Sequence, residues 1–247
     1  MLSDLFIKEI ALKKDKIKNH EEYPFNLQVV QHLDKLEINK NVTFLIGENG
    51  CGKSTLLEAI AINIGFNPEG GSKNYKFYSY NTHSILHEYL TVVKGFFIPK
   101  DGFFLRSESF YNVESYIEKL DKENPGGPPI KDVYGGSLHE QSHGESVLSL
   151  IKNRFRGNGI YILDEPESAL SPIRLLSLMV LINDLVKTRS QFLIATHSPI
   201  LLAFPKADII VLDENGFSNK KYYETEHYLL TKQFLDNPER MLNELLR

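Results

Sequence analysis

Gly47-Glu48-Asn49-Gly50-Cys51-Gly52-Lys53-Ser54 has glycine, lysine and hydroxyl residues at the spacing that wraps a phosphate chain. Glycines let consecutive backbone N–H groups turn inward around an anion, and the helix opened by Ser54 and Thr55 presents its positive end to the same anion. Lys53 is placed to reach the β and γ phosphates, and the Ser54 hydroxyl to ligate a Mg²⁺ that bridges phosphate oxygens. Gly47, Glu48, Asn49, Gly50, Cys51, Gly52, Lys53, Ser54 and Thr55 are therefore the expected contacts of a nucleotide, ATP or GTP.

Two further stretches carry groups that could act on that nucleotide. Ile160-Tyr161-Ile162-Leu163-Asp164-Glu165-Pro166 is an apolar strand ending in two carboxylates. Beside the loop, Asp164 could hold Mg²⁺ and Glu165 could take a proton from the water attacking the γ-phosphate; alone, the same residues could make an acidic turn closed by Pro166. Gln191-Phe192-Leu193-Ile194-Ala195-Thr196 is a strand ending at His197, where an α/β sheet presents its ligand-contacting ends. His197 could contact the γ-phosphate or the attacking water, although a lone histidine is more often structural.

The elements needed to bring these groups together are legible in outline. Val42 to Ile46 reads as a buried strand feeding the loop, and the following helix runs past Ile62. Ile173 to Val186 reads as a helix between the acidic and histidine strands, giving the alternation of a mainly parallel sheet. The N-terminal stretch reads as strands, including Leu5 to Leu12 and Leu27 to Ile38, and Ala207 to Asp213 as another strand closed by a turn at Glu214-Asn215-Gly216. The tail from Tyr228 reads as one or two amphipathic helices broken at Asn237-Pro238. The expectation is one α/β domain over 1–247, a P-loop NTPase with N-terminal β-strands and a small helical lobe at about 111–156 that contains a breaker loop at 124–129.

The order of loop, acidic strand and histidine strand resembles the ATP-binding cassette superfamily over most of the chain. That resemblance implies a dimer-contacting loop at Ser168-Ala169-Leu170-Ser171, with Ser171 where the family usually has Asp. It implies a signature segment at Ser142-His143-Gly144-Glu145-Ser146; Ser142 and Gly144 match the family's pattern, while His143 and Glu145 depart from it. Two chains would then sandwich two nucleotides, with Ser142 and Gly144 of one facing the phosphate loop of the other. A Mg²⁺-sensing loop is implied near Phe103 to Phe110, Glu108 standing where a glutamine is usual, and an adenine-stacking aromatic ahead of the phosphate loop, Tyr23 or Phe25, either of which could instead pack in the core. The signature and Ala195-Thr196-His197-Ser198-Pro199 are similar to those of the soluble, SMC-like and predicted-ATPase branch, whose ATPases serve nucleic-acid-linked or protein partners. The other reading is the ATP-binding subunit of a membrane transporter.

His139-Glu140-Gln141-Ser142-His143 spells the zinc-protease pattern, but Gly135-Gly136 before it and Gly144 after it argue against the helix that this chemistry needs. With 247 residues and 42% hydrophobic content the chain can bury a large core. No stretch approaches the roughly twenty apolar residues needed to cross a bilayer, and acids interrupt the N-terminus, which is unlike a signal peptide. The single cysteine rules out an internal disulfide; together these features point to the cytoplasm. Cys51 inside the phosphate loop is either a small packing residue or a thiol whose alkylation would block nucleotide. Net charge is −4, yet Lys13 to Lys18 and Lys73 to Tyr78 are local basic stretches that could touch double-stranded DNA, although such stretches are more often solvated turns and strands.

Overall fold

Apolar residues fill both faces of the strands that carry the site, and this dictates a central sheet covered on each side. The computed structural model describes residues 4–73, 83–107, 115–116, 119–121, 123 and 143–246. A three-stranded antiparallel sheet in the order β2-β1-β4 contains β1 (Ile7–Leu12), β2 (Lys35–Glu37) and β4 (Leu90–Lys94). A six-stranded sheet in the order β5-β6-β7-β3-β8-β9 contains β3 (Val42–Gly47), β5 (Asp101–Arg106), β6 (Gly159–Asp164), β7 (Gln191–Ala195), β8 (Asp208–Asp213) and β9 (Gly216–Asn219). All its neighbours run parallel except the β8–β9 hairpin. The α-helices are α1 (Gln28–His32), α2 (Lys53–Asn63), α3 (His143–Arg154), α4 (Pro172–Lys187), α5 (Pro199–Leu202), α6 (Glu226–Asp236) and α7 (Pro238–Leu245), with short 3-10 turns at Lys14–Lys16, Ile85–Tyr89, Pro166–Ala169 and Tyr222–Glu224.

The period-2 alternation of the strands sorts their side chains between two cores. Leu45, Phe104, Ile160, Ile162, Leu193, Ala195, Ile210 and Leu212 face one core, shared with α2 and the small sheet. Phe44, Ile46, Phe103, Leu105, Tyr161, Leu163, Phe192 and Ile194 face the other, closed by α3, α4 and α5. The small sheet is tied to the large one by a buried glutamine. Gln191 Oε1 accepts from the Phe6 and Ile7 amides at 2.9 and 2.8 Å, and its Nε2 donates to the Ile7 carbonyl at 2.8 Å.

The end of the sheet remote from the phosphate loop is held by a polar knot. The Tyr161 hydroxyl donates to Asp101 Oδ2 at 2.8 Å and accepts from the Gly157 amide at 3.1 Å. Arg154 donates to Asp101 Oδ1 at 2.7 Å, and the Tyr161 ring stacks on Phe155 at 4.1 Å. Burial would raise the Asp101 carboxyl, but Arg154, the Arg156 amide and Tyr161 hold it below the usual carboxylate range. Burial and then the Asp101 charge push the Tyr161 phenol well above its ordinary value. Tyr161→Phe leaves these partners unmatched, so urea unfolding should report a loss of about 1–3 kcal/mol.

One expectation is corrected by the structure. Leu27 to Ile38 is not one strand: it holds the one-and-a-half-turn helix α1 and the short strand β2. Val29 and Val30 are buried, and the Val29 amide donates to the Cys51 carbonyl at 2.9 Å, so docking against the phosphate loop overrides the β preference of two valines. Phe25 is 6% exposed and meets Tyr89 edge-to-face at 4.7 Å, so it packs in the core, whereas Tyr23 is 60% exposed. The tail is two helices, broken at Asn237, whose side chain caps α7 by accepting from the Arg240 amide at 3.1 Å.

Candidate nucleotide site

The C-terminal ends of β3, β6 and β7 lie side by side, and β7 sits between the other two. That order puts the histidine strand between the phosphate loop and the acidic strand. The loop itself is specified by glycine. Gly50 and Gly52 have φ of +80° and +101°, and a Cβ on Gly52 would lie 2.6 Å from Val29 Cγ1. Gly47 is equally constrained, because a Cβ there would meet the Leu212 carbonyl at 2.6 Å.

Lys53, at the start of α2, is 6% exposed and folds back over the loop. Its Nζ donates to the carbonyls of Gly47 and Glu48, both at 2.8 Å, with Cys51 Sγ at 3.8 Å. Cys51 is free and buried in the core beneath the loop, which is the packing role of the two readings above. The Ser54 hydroxyl donates to Asp164 Oδ1 at 3.0 Å, joining loop and acidic strand directly. Asp164 is 4% exposed, while the neighbouring Glu165 side chain is 44% exposed and reaches the open face of the site.

Glu165 adopts the left-handed conformation, φ +50° and ψ +53°, which is uncommon for a residue with a side chain. Both sides of its backbone are held: its amide donates to the Ala195 carbonyl at 3.0 Å, and the Ser107 hydroxyl lies 2.7 Å from its carbonyl and 3.0 Å from that of Asp164. His197 Nε2 stands 3.8 Å from Glu165 Oε1. The His197 amide donates to Glu167 Oε1 at 2.5 Å, and its Nδ1 lies 3.2 Å from Nε2 of His227, on α6. Burial, then the Lys53 charge, lower the His197 pKa against the opposing pull of Glu165, so the ring is neutral near pH 7.

The structure thus brings Lys53, Ser54, Asp164, Glu165 and His197 to one place. Ser107, Glu167 and His227 were not expected there. Ser107 and Glu167 act through long-range bonds that no spacing announces; the sequence signal for Glu167 was its place two residues beyond the acidic pair. Ser142, Glu108, the zinc-protease pattern up to Ser142, 74–78 and 124–129 lie outside the described residues, as does most of the expected lobe. Gly144 is described. It lies in the first turn of α3, where a Cβ would sit 2.4 Å from the Ala169 carbonyl, so the turn after Glu165 closes directly onto that helix end. Glu145, which departs from the family's signature pattern, pairs with Arg174 at 2.8 Å. Of the N-terminal lysines, Lys13 bonds the Glu88 carbonyl and Lys14 pairs with Asp34.

An "AAA domain" family model matches residues 16–133, and a second, "AAA domain, putative AbiEii toxin, Type IV TA system", matches residues 137–203. Between them they span the phosphate loop, the acidic strand and His197. The ATP-binding protein Uup of Buchnera aphidicola is 26% identical over 200 residues, which cover 78% of this chain and 30% of that protein. A probable metal transport system ATP-binding protein of Thermotoga maritima is 26% identical over 197 residues, 72% of this chain and 76% of that protein. By these matches the chain is similar to ATP-binding proteins of the ATP-binding cassette type. It spans less than a third of Uup's length. Among solved structures, cbiO1 from Clostridium perfringens, part of the ABC transporter complex cbiONQ, is 18% identical, with 98% of this chain and 100% of that one covered and a TM-score of 0.47.

Proposed function

We propose that this ATPase hydrolyses ATP with Glu165 as general base, in a nucleotide-bridged homodimer whose closing and reopening drive a partner in the cytoplasm. The observation that carries the reading is the 3.0 Å bond between Ser54 and Asp164, which sets two hard oxygen donors together at the phosphate loop with Glu165 and His197 beside them. Hard, charged oxygens are what Mg²⁺ prefers, so the residues fit the ion: Ser54 and Asp164 would hold it. When bound it neutralises charge on phosphate oxygens.

This chain's own groups account for the other requirements. Amides of 48–54 and Lys53 bind the phosphates, with Lys53 offsetting charge that builds on them during transfer. The Glu165 carboxylate accepts a proton from a water in line with the γ-phosphate, and its doubly anchored backbone fixes where that carboxylate points. His197, neutral, donates a hydrogen bond from Nε2 to the γ-phosphate or that water. Ser142 and the helix end at Gly144 would complete the site of the second copy, and Tyr23 is the exposed aromatic available to adenine.

We infer a nucleic-acid-linked partner first, since the signature and histidine segments resemble the soluble branch. The names of relatives such as the Thermotoga transport protein support the second reading, an ATP-binding subunit docked on a membrane protein. Among the described residues no helix is long and apolar enough to cross a membrane. ATP turnover by the purified protein, with and without double-stranded DNA, separates the two. Turnover that rises with DNA supports the first reading; turnover indifferent to DNA, with co-purification of a membrane subunit, overturns it for the second.

A further inference from the structure

We propose that His227, delivered from the tail helix α6, is a positioning residue that sets the tautomer of His197 and thereby makes Nε2 of His197 a donor toward the γ-phosphate. The inference rests on the reading of His197 given above and adds a residue far outside the motifs. Its basis is a ring-to-ring contact: His197 Nδ1 and His227 Nε2 are 3.2 Å apart, within hydrogen-bonding distance, and the ring centroids are 5.4 Å apart.

A neutral imidazole has one N–H and one lone pair, so a single bond at Nδ1 decides what Nε2 can do. His197 Nε2 is buried, has no hydrogen-bond partner among the described residues, and faces the Glu165 carboxylate at 3.8 Å. Carboxylate and phosphate oxygens only accept, so Nε2 is useful there only when it carries the proton. Nδ1 must then accept, and His227 must donate from its own Nε2. Both rings are pushed toward the neutral form: burial first, then His197, lowers His227, and burial first, then Lys53, lowers His197. One shared proton between two neutral rings is the arrangement that this geometry favours.

The scaffold holding His227 is built for placement. Thr225 is buried at the N-cap of α6, accepts from the Tyr228 amide at 3.3 Å and donates to the Tyr222 carbonyl at 2.8 Å. The rings of Tyr222, Tyr223 and Tyr228 pack on one another at 4.7–5.0 Å around that first turn. On the other side, the amide of His197 is pinned by Glu167. Both rings are thus fixed from their own backbones before any substrate arrives, while the rest of α6 and all of α7 bury no residue.

The test compares His227→Leu, His227→Asn and His227→Gln, because a glutamine amide reaches the place of imidazole Nε2 and an asparagine amide does not. Steady-state ATP hydrolysis is measured for each, with melting temperature as a folding control and His197→Ala as a reference. His227→Leu and His227→Asn should each lower kcat about tenfold or more with KM for ATP unchanged, the size expected when a group orienting a catalytic residue is lost. His227→Gln should stay within about threefold of the parent. Unchanged kcat in the leucine and asparagine variants, or an equal fall in all three, overturns the proposal while leaving the role of His197 intact. If His197→Ala itself hydrolyses ATP at the parental rate, the underlying reading of the site fails and this one with it.

Discussion

Glu165→Gln is expected to bind ATP as the parent does and to lose at least about a hundredfold in turnover, the lower end of what a general base contributes. The substitution is a clean probe because the backbone of residue 165 is held by Ala195 and Ser107, so the amide will point where the carboxylate did. It removes only the ability to accept a proton. A loss of two orders of magnitude is about 2.7 kcal/mol of barrier. With hydrolysis blocked, the nucleotide-bridged dimer should accumulate, seen as a doubling of mass in ATP by analytical ultracentrifugation. Parental turnover would remove Glu165 from its role, and low turnover with weakened ATP binding would mean that the residue shapes the pocket instead.

Lys53→Ala should act at the preceding step and weaken ATP binding itself. Lys53 is buried and its ammonium spans the two loop carbonyls of Gly47 and Glu48. Removing it takes away the cation nearest the phosphates and leaves those carbonyls unmatched. Charge-assisted hydrogen bonds of this kind contribute about 1.5–3 kcal/mol each, so affinity should fall about tenfold to a hundredfold by isothermal titration. Lys53→Arg is not conservative here, since a planar fork cannot fold back onto both carbonyls as a compact ammonium does. ATP binding by Lys53→Ala at parental affinity would contradict this account of the loop.

How much of this was legible depended on how local the cause was. The phosphate loop could be read because its constraints fall on adjacent residues: the positive φ of Gly50 and Gly52 and the Lys53–Ser54 pair at the helix start. The strands β3, β6, β7 and β8 could be read because a parallel sheet buried on both faces needs uninterrupted apolar runs. Helix α1 was read as strand because five residues give no helical period, and its two valines favour helix only once docked against Cys51 and the loop.

The supporting residues around the site were harder for a different reason. Ser107 meets Glu165 from 58 positions away, and Gln191 meets Ile7 from 184. His227 reaches His197 across 30 positions and a change from strand to helix. Nothing in a serine, a glutamine or a tail histidine announces such a partner; the pairs form only because β5 lies beside β6, the small sheet bonds the start of β7, and α6 reaches the turn after β7. Glu145 shows the converse. In sequence it only departs from the family's signature pattern, and the structure gives its carboxylate a cation partner in Arg174 of α4.

The central claim, that Asp164, Glu165 and the loop form a hydrolytic site, is tested most directly by single-turnover cleavage. Parent and Glu165→Gln protein, each in excess over γ-labelled ATP with Mg²⁺, would be sampled for released phosphate over time. The account predicts that both capture the nucleotide, that the parent releases labelled phosphate, and that Glu165→Gln holds intact ATP over the same period. Release of phosphate from Glu165→Gln at the parental rate would contradict it.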